Sequence, residues 1–246
     1  MAKRKKKQFD PEDELIIQQA MNPELSKFKD RIQMPKIKLT FRNQKQSDYA
    51  ALIEEKQIIL SYGPAGTGKS FIGIAKALEM LQDGNRNFHK IHIITPAIES
   101  EERIGFLPGD LLEKLHPYLY STYYLIDKLI GKECRQRLIN NGTIEPMGLG
   151  FLRGVNVDNA ILIFEESQNA SITSMKTLLT RIGRNSKFII SGDLEQIDNE
   201  KLKVRENSGL YHAMTKLKDI KDIGTIEFTK DEIVRNPLIS NILEKF

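Results

Sequence analysis

Apolar positions along the chain alternate between two spacings. Gln57 to Tyr62 is a short β-branched and apolar run that stops at Gly63, and Lys90 to Thr95, with Ile91, Ile93 and Ile94, is a second. Ala160 to Phe164 is apolar throughout, as a strand covered on both faces must be. Lys187 to Ser191 is a fourth such run and ends at Gly192-Asp193. Each predicts a buried strand. Between them the spacing becomes helical. Ile72, Ala75 and Leu78 lie on one stripe of a helix over 69–81, which Asp83-Gly84-Asn85 ends. Ile172, Met175, Leu178, Leu179 and Ile182 form a second stripe, stopping near Gly183, and Leu210, Ala213, Met214 and Leu217 a third. A weak strand is predicted at Thr225 to Phe228 and a closing helix at Arg235 to Phe246. Strands alternating with helices predict an α/β fold, a parallel sheet flanked by helices. In such sheets ligands bind beyond the carboxyl ends of the strands. The chemically interesting residues fall there.

Composition narrows the class. The chain has 246 residues, 40% hydrophobic and 28% charged, which supports a packed core and excludes a wholly disordered or collagen-like chain. Charge interrupts every apolar stretch within about a dozen residues, short of the roughly 20 that cross a bilayer. The predicted partners therefore include no membrane. Acidic and polar residues follow the basic start where a signal peptide would be apolar, and Cys134 has no second cysteine to pair with. A cytoplasmic protein is expected. Residues 1–42 read as a basic, partly disordered extension punctuated by Pro11, Pro23 and Pro35, and 43–246 as the folded domain. The run Lys3 to Lys7 is either a solubilising tail or an arm for a phosphate backbone; the net charge of +4 does not decide between them.

Gly63-Pro64-Ala65-Gly66-Thr67-Gly68-Lys69-Ser70 satisfies G-x-x-x-x-G-K-[ST] and sits between a predicted strand and helix, as a phosphate-binding loop requires. Its backbone N–H groups and the amino end of the following helix, Lys69 to Phe71, face the same anion. Lys69 is expected on the β- and γ-phosphates and Ser70 on Mg²⁺. After the apolar run 160–164 come Glu165 and Glu166. Glu165, one methylene longer than aspartate, is expected to hold the metal through its water, and Glu166 to orient or deprotonate the attacking water. Gly192-Asp193-Leu194-Glu195-Gln196 resembles the GDxxQ motif of helicase-like NTPases, in which the glutamine senses the γ-phosphate.

Taken together, these residues resemble the PhoH-like family, P-loop ATPases with a RecA-like core related to superfamily 1 helicases. The resemblance rests on GPAGTGKS at 63–70, GFLPGDL at 105–111, LRG at 152–154, ESQN at 166–169, LTRIGRNSK at 179–187, SGDLEQID at 191–198 and DEIVRNP at 231–237. It implies Mg²⁺-dependent ATP binding and hydrolysis, coupled to RNA or single-stranded DNA, in a homo-oligomer of hexameric ring form. It also implies that Gln46 reads the adenine edge, the alternative being a surface residue on a helix. Arg235, and after it Arg181 and Arg153, are candidate phosphate-contacting arginines, in cis or from a neighbouring subunit. Three departures stand out: Glu165 where the family has aspartate, no arginine between Thr95 and Pro96, and Glu101 where glycine is common. The divergence fits a phage-type member. Two other classes remain in view, an ATP-gated assembly module with little turnover and, disfavoured by GDxxQ, a small-molecule kinase.

Overall fold

The computed structural model describes residues 33–95, 111–152, 154–198, 202 and 204–234, with backbone alone at 111–118. Among them, β1 (Ile58–Tyr62), β2 (Lys90–Thr95), β3 (Ile144–Gly148), β4 (Ala160–Phe164), β5 (Lys187–Gly192) and β6 (Ile223–Glu227) form a sheet in the order β3-β2-β4-β5-β1-β6. Every neighbouring pair is parallel. The α/β class with helices on both faces is as expected.

Side chains alternate across a strand, so the sheet builds two cores. Ile59, Ile91, Ile93, Ile161, Ile163 and Ile189 point to one face, covered by α1 (Gln44–Glu55), α2 (Lys69–Gln82), α3 (Leu111–Ile130) and α4 (Lys132–Asn140). Leu60, Ile94, Leu162, Phe164, Phe188 and Ile190 point to the other, covered by α5 (Ile172–Leu179) and α6 (Gly209–Leu217). Full burial of each such side chain contributes about 1.5–3 kcal/mol. The predicted strands and the three helical stripes thus find their elements. The structure adds α1, β3, α3 and α4, which the apolar pattern does not predict. It also extends the packed chain upstream of residue 43: Ile37 is buried, and Met34 and Leu39 pack on the same core. The closing helix lies outside the described residues. No described helix is long and apolar enough to cross a membrane.

Register positions the site. Ser61 lies opposite Ser191 and Tyr62 opposite Gly192, so β1 and β5 end level with one another. Phe164 is paired with both Ile94 and Ile190. The loops after β1, β4 and β5 therefore emerge side by side at one rim.

Candidate nucleotide site

The loop after β1 is held by its glycines and by one helix beneath it. Gly63 has φ 137°, and a Cβ there would stand 2.1 Å from the Phe228 carbonyl, so no other residue fits. Gly68 takes φ 89° as it starts α2, and a Cβ there would meet Gln46 Nε2 at 2.8 Å. No side chain caps α2 among the described residues, which leaves its first N–H groups available to an anion. Lys69, only 7% exposed, folds over the loop and donates to the carbonyls of Gly63 (2.6 Å) and Pro64 (2.9 Å) and to Thr67 Oγ1 (3.3 Å). The remaining loop positions Pro64, Ala65, Gly66 and Ser70 are half-buried, as is Phe71 in the first turn of α2.

Gln46 is buried, not on the surface. Asn43 caps α1 by accepting from the Gln46 N–H (2.9 Å), which aims the side chain inward. Its Nε2 donates to the Thr67 carbonyl at 2.9 Å, and its Oε1 accepts from the Arg42 N–H at 2.8 Å. In this arrangement the amide braces the phosphate loop. The segment after β6 forms a wall on the loop: Phe228 N–H donates to the Tyr62 carbonyl and Val234 N–H to the Gly66 carbonyl.

The acidic pair stands beside Ser70. Ser70 Oγ donates to Glu165 Oε2 at 2.5 Å, while Glu165 Oε1 is buried with no hydrogen-bond partner. Burial pushes the Glu165 carboxyl above the usual carboxylate range; the Ser70 and Ser191 hydroxyls and the Lys69 charge oppose the shift, and the Glu166 charge adds to it. A hydroxyl and an orphaned carboxylate oxygen are the hard donors that Mg²⁺ takes, and the residues present fit it. Among the described residues no cluster of three His, Cys, Asp or Glu could hold a metal unaided. Water and phosphate oxygens would have to complete its shell, as is usual for this ion. Glu166 is exposed and sits in the left-handed region at φ 54°, a strained conformation for a side chain of this size.

The GDxxQ segment meets the loop through its aspartate. Asp193 Oδ2 accepts from the Ala65 N–H (3.2 Å) and from Gln196 Nε2 (2.9 Å), which holds Gln196 at the rim. Gln168 joins this group to Glu166 by hydrogen bonds on both ends of its amide. Sequence reasoning gives neither Asp193 nor Gln168 a role of its own; the available signal is that Asp193 directly follows β5 and Gln168 lies four residues past the end of β4.

The arginines are another matter. Arg181 does not reach the loop within this chain. Its carbonyl accepts from Val157 N–H, three residues before β4 begins, so it lies at the amino end of the strand whose carboxyl end carries Glu165. A five-residue strand spans roughly 16 Å. Its Nε is buried without a partner. In this arrangement Arg181 and the phosphate loop lie at opposite ends of the sheet. Arg235 and Arg153 lie outside the described residues. So does the segment bearing Pro96 and Glu101.

A family model described as PhoH-like protein matches residues 38–246. The chain is 40% identical over 201 residues to a PhoH-like protein of Bacillus subtilis (strain 168), covering 82% of this chain and 61% of that protein. It is 38% identical over 201 residues to a PhoH-like protein of Mycobacterium tuberculosis (strain ATCC 25618 / H37Rv), covering 82% and 56%. Protein PhoH of Escherichia coli (strain K12) is 34% identical over 207 residues, covering 83% and 57%. The match thus spans between 56% and 61% of these relatives' lengths.

Proposed function

The chain belongs to the PhoH-like protein family, and on that premise we propose that it hydrolyses ATP with Mg²⁺ and couples turnover to binding or remodelling RNA or single-stranded DNA. The observation that carries the hydrolytic reading is the Ser70–Glu165 contact at 2.5 Å, with a buried, unpartnered carboxylate oxygen beside it. Such a pair is costly to bury unless a cation completes it.

Each residue then has a task. The loop N–H groups and Lys69 take the phosphate oxygens, Lys69 exchanging its carbonyl acceptors for them. Ser70 and Glu165 would hold Mg²⁺, which would supply positive charge to offset that of the phosphates. Glu166 orients the attacking water and takes its proton. Gln196 stands at the rim to sense the γ-phosphate. Val234 N–H is hydrogen-bonded to the Gly66 carbonyl of the loop; Arg235, outside the described residues, remains a candidate phosphate contact by the family resemblance. Support for a nucleic-acid partner is the family premise together with Tyr120 and Tyr124, exposed on α3 with Lys128 over the Tyr124 ring, since exposed aromatics stack bases.

The test is steady-state phosphate release, with and without single-stranded RNA or DNA, at low and moderate salt. Lys69→Ala should abolish ATP binding. Glu166→Gln should lower turnover by about 10²-fold or more while ATP stays bound. Absence of binding heat from ATP with Mg²⁺ would end the hydrolytic reading, and a rate indifferent to every polynucleotide would end the coupling.

A further inference from the structure

Gln168 is fully buried, and both ends of its side-chain amide are engaged. Nε2 donates to Glu166 Oε2 at 2.7 Å and to the Gln196 carbonyl at 3.0 Å; Oε1 accepts from the Asp193 N–H at 3.0 Å. Both N–H donors are therefore used, and a primary amide is the one side-chain group that offers two donors and an acceptor at this reach. The Gln168 carbonyl is fixed from behind by Ser208 Oγ at 3.0 Å. On the far side, Asp193 accepts from Gln196 Nε2 and from Ala65 N–H of the phosphate loop. The chain of contacts runs from Glu166 to the loop without a gap.

From this geometry we propose that Gln168 is the positioning residue for the water-activating carboxylate, tying Glu166 to the same frame that holds Gln196 and the phosphate loop. The inference rests on the hydrolytic reading above. It follows from a contrast in burial. Glu166 is exposed and at φ 54°, and among the described residues Gln168 supplies the one hydrogen bond to its carboxylate. An exposed glutamate has several rotamers, and only those aimed at the phosphate end are useful to catalysis. A buried donor with no rotameric freedom selects among them in advance, which is how a supporting residue contributes to rate without touching substrate. A misplacement of about 1 Å at such a group costs on the order of 10²-fold in rate.

The experiment compares the full chain with Gln168→Glu, Gln168→Asn and Glu166→Gln, measuring kcat, KM for ATP, ATP affinity by calorimetry and the melting temperature. Gln168→Glu keeps the acceptor for Asp193 N–H and replaces the donor facing Glu166 by an oxygen. It should lower kcat by about 10²-fold and leave KM and ATP affinity within about threefold. Gln168→Asn keeps the amide but withdraws it by about 1.5 Å, and should recover part of that loss. Unchanged kcat in Gln168→Glu, or a rise in KM with kcat intact, overturns the proposal, because a merely structural glutamine would act through loop integrity. If Gln168→Glu does not fold, the kcat of Gln168→Asn decides by the same criterion. If instead Glu166→Gln retains full turnover, the hydrolytic assignment of Glu166 fails first and the positioning role goes with it.

Discussion

Glu165 illustrates how one side chain can carry both a structural cost and a function. Burial raises its carboxyl above the ordinary value of 4.5, so the folded protein without metal binds a proton that the unfolded chain has released. Stability of the metal-free form therefore falls as pH rises from the unfolded value through the raised one. Mg²⁺ held by Glu165, as proposed, would compete with the same proton with the opposite sign: affinity would grow with pH until the carboxyl is ionised. Calorimetry of Mg²⁺–ATP should show affinity rising with pH above the ordinary carboxylate range, by at most about tenfold per unit. Glu165→Gln should bind more weakly and with a flat pH dependence there. An equal slope in the variant would remove Glu165 from the metal site.

At the scale of elements, the phosphate loop depends on α1 as much as on its own glycines. Gln46, 5% exposed, gives the Thr67 carbonyl its hydrogen bond. Gln46→Ala leaves that buried acceptor unsatisfied at about 1–3 kcal/mol, so nucleotide affinity should fall by roughly tenfold or more. If the amide braces the loop, ATP and GTP lose affinity equally; a loss confined to ATP would instead place the amide on adenine. Calorimetry with both nucleotides separates the two. The same contrast shows what the sequence could reveal. The four central strands are legible because burial on both faces demands unbroken apolar runs. β3 is not, because it pairs with β2 alone, and Glu145, Pro146 and Gly148 interrupt it as an edge tolerates. In α3 the proline at 117 reads as a helix breaker, although the helix runs from Leu111 to Ile130. The loop, the acidic pair and GDxxQ are legible because each is contiguous. The Gln46–Thr67, Asp193–Ala65 and Gln168–Glu166 contacts were not, because the level ends of β1 and β5 and the cap on α1 create them.

Across the whole molecule the two ends of the sheet have different tasks. The carboxyl rim gathers the loop, Glu165, Glu166, Gln168, Asp193 and Gln196, while Arg181 sits beside Val157 at the amino rim. A planar cation near the transferred phosphoryl group stabilises its charge, and a neighbouring copy stacked head to tail would bring an amino rim to a carboxyl rim. Such a heterologous contact closes into a ring when its rotation allows. The prediction is complementation in trans. Arg181→Ala should bind ATP like the parent and lose about 10²-fold or more in turnover; Glu166→Gln should do the same for its own reason. Mixed in equal amounts and re-equilibrated, the two should regain about a quarter of parental activity, because that share of interfaces pairs an intact Glu166 with an intact Arg181 by chance. The particle mass in solution, measured with and without ATP, should exceed that of one chain. No recovery on mixing, or a particle that stays a single chain with ATP bound, would confine hydrolysis to one copy, and Arg181 would then be a residue of the amino rim with no part in the reaction.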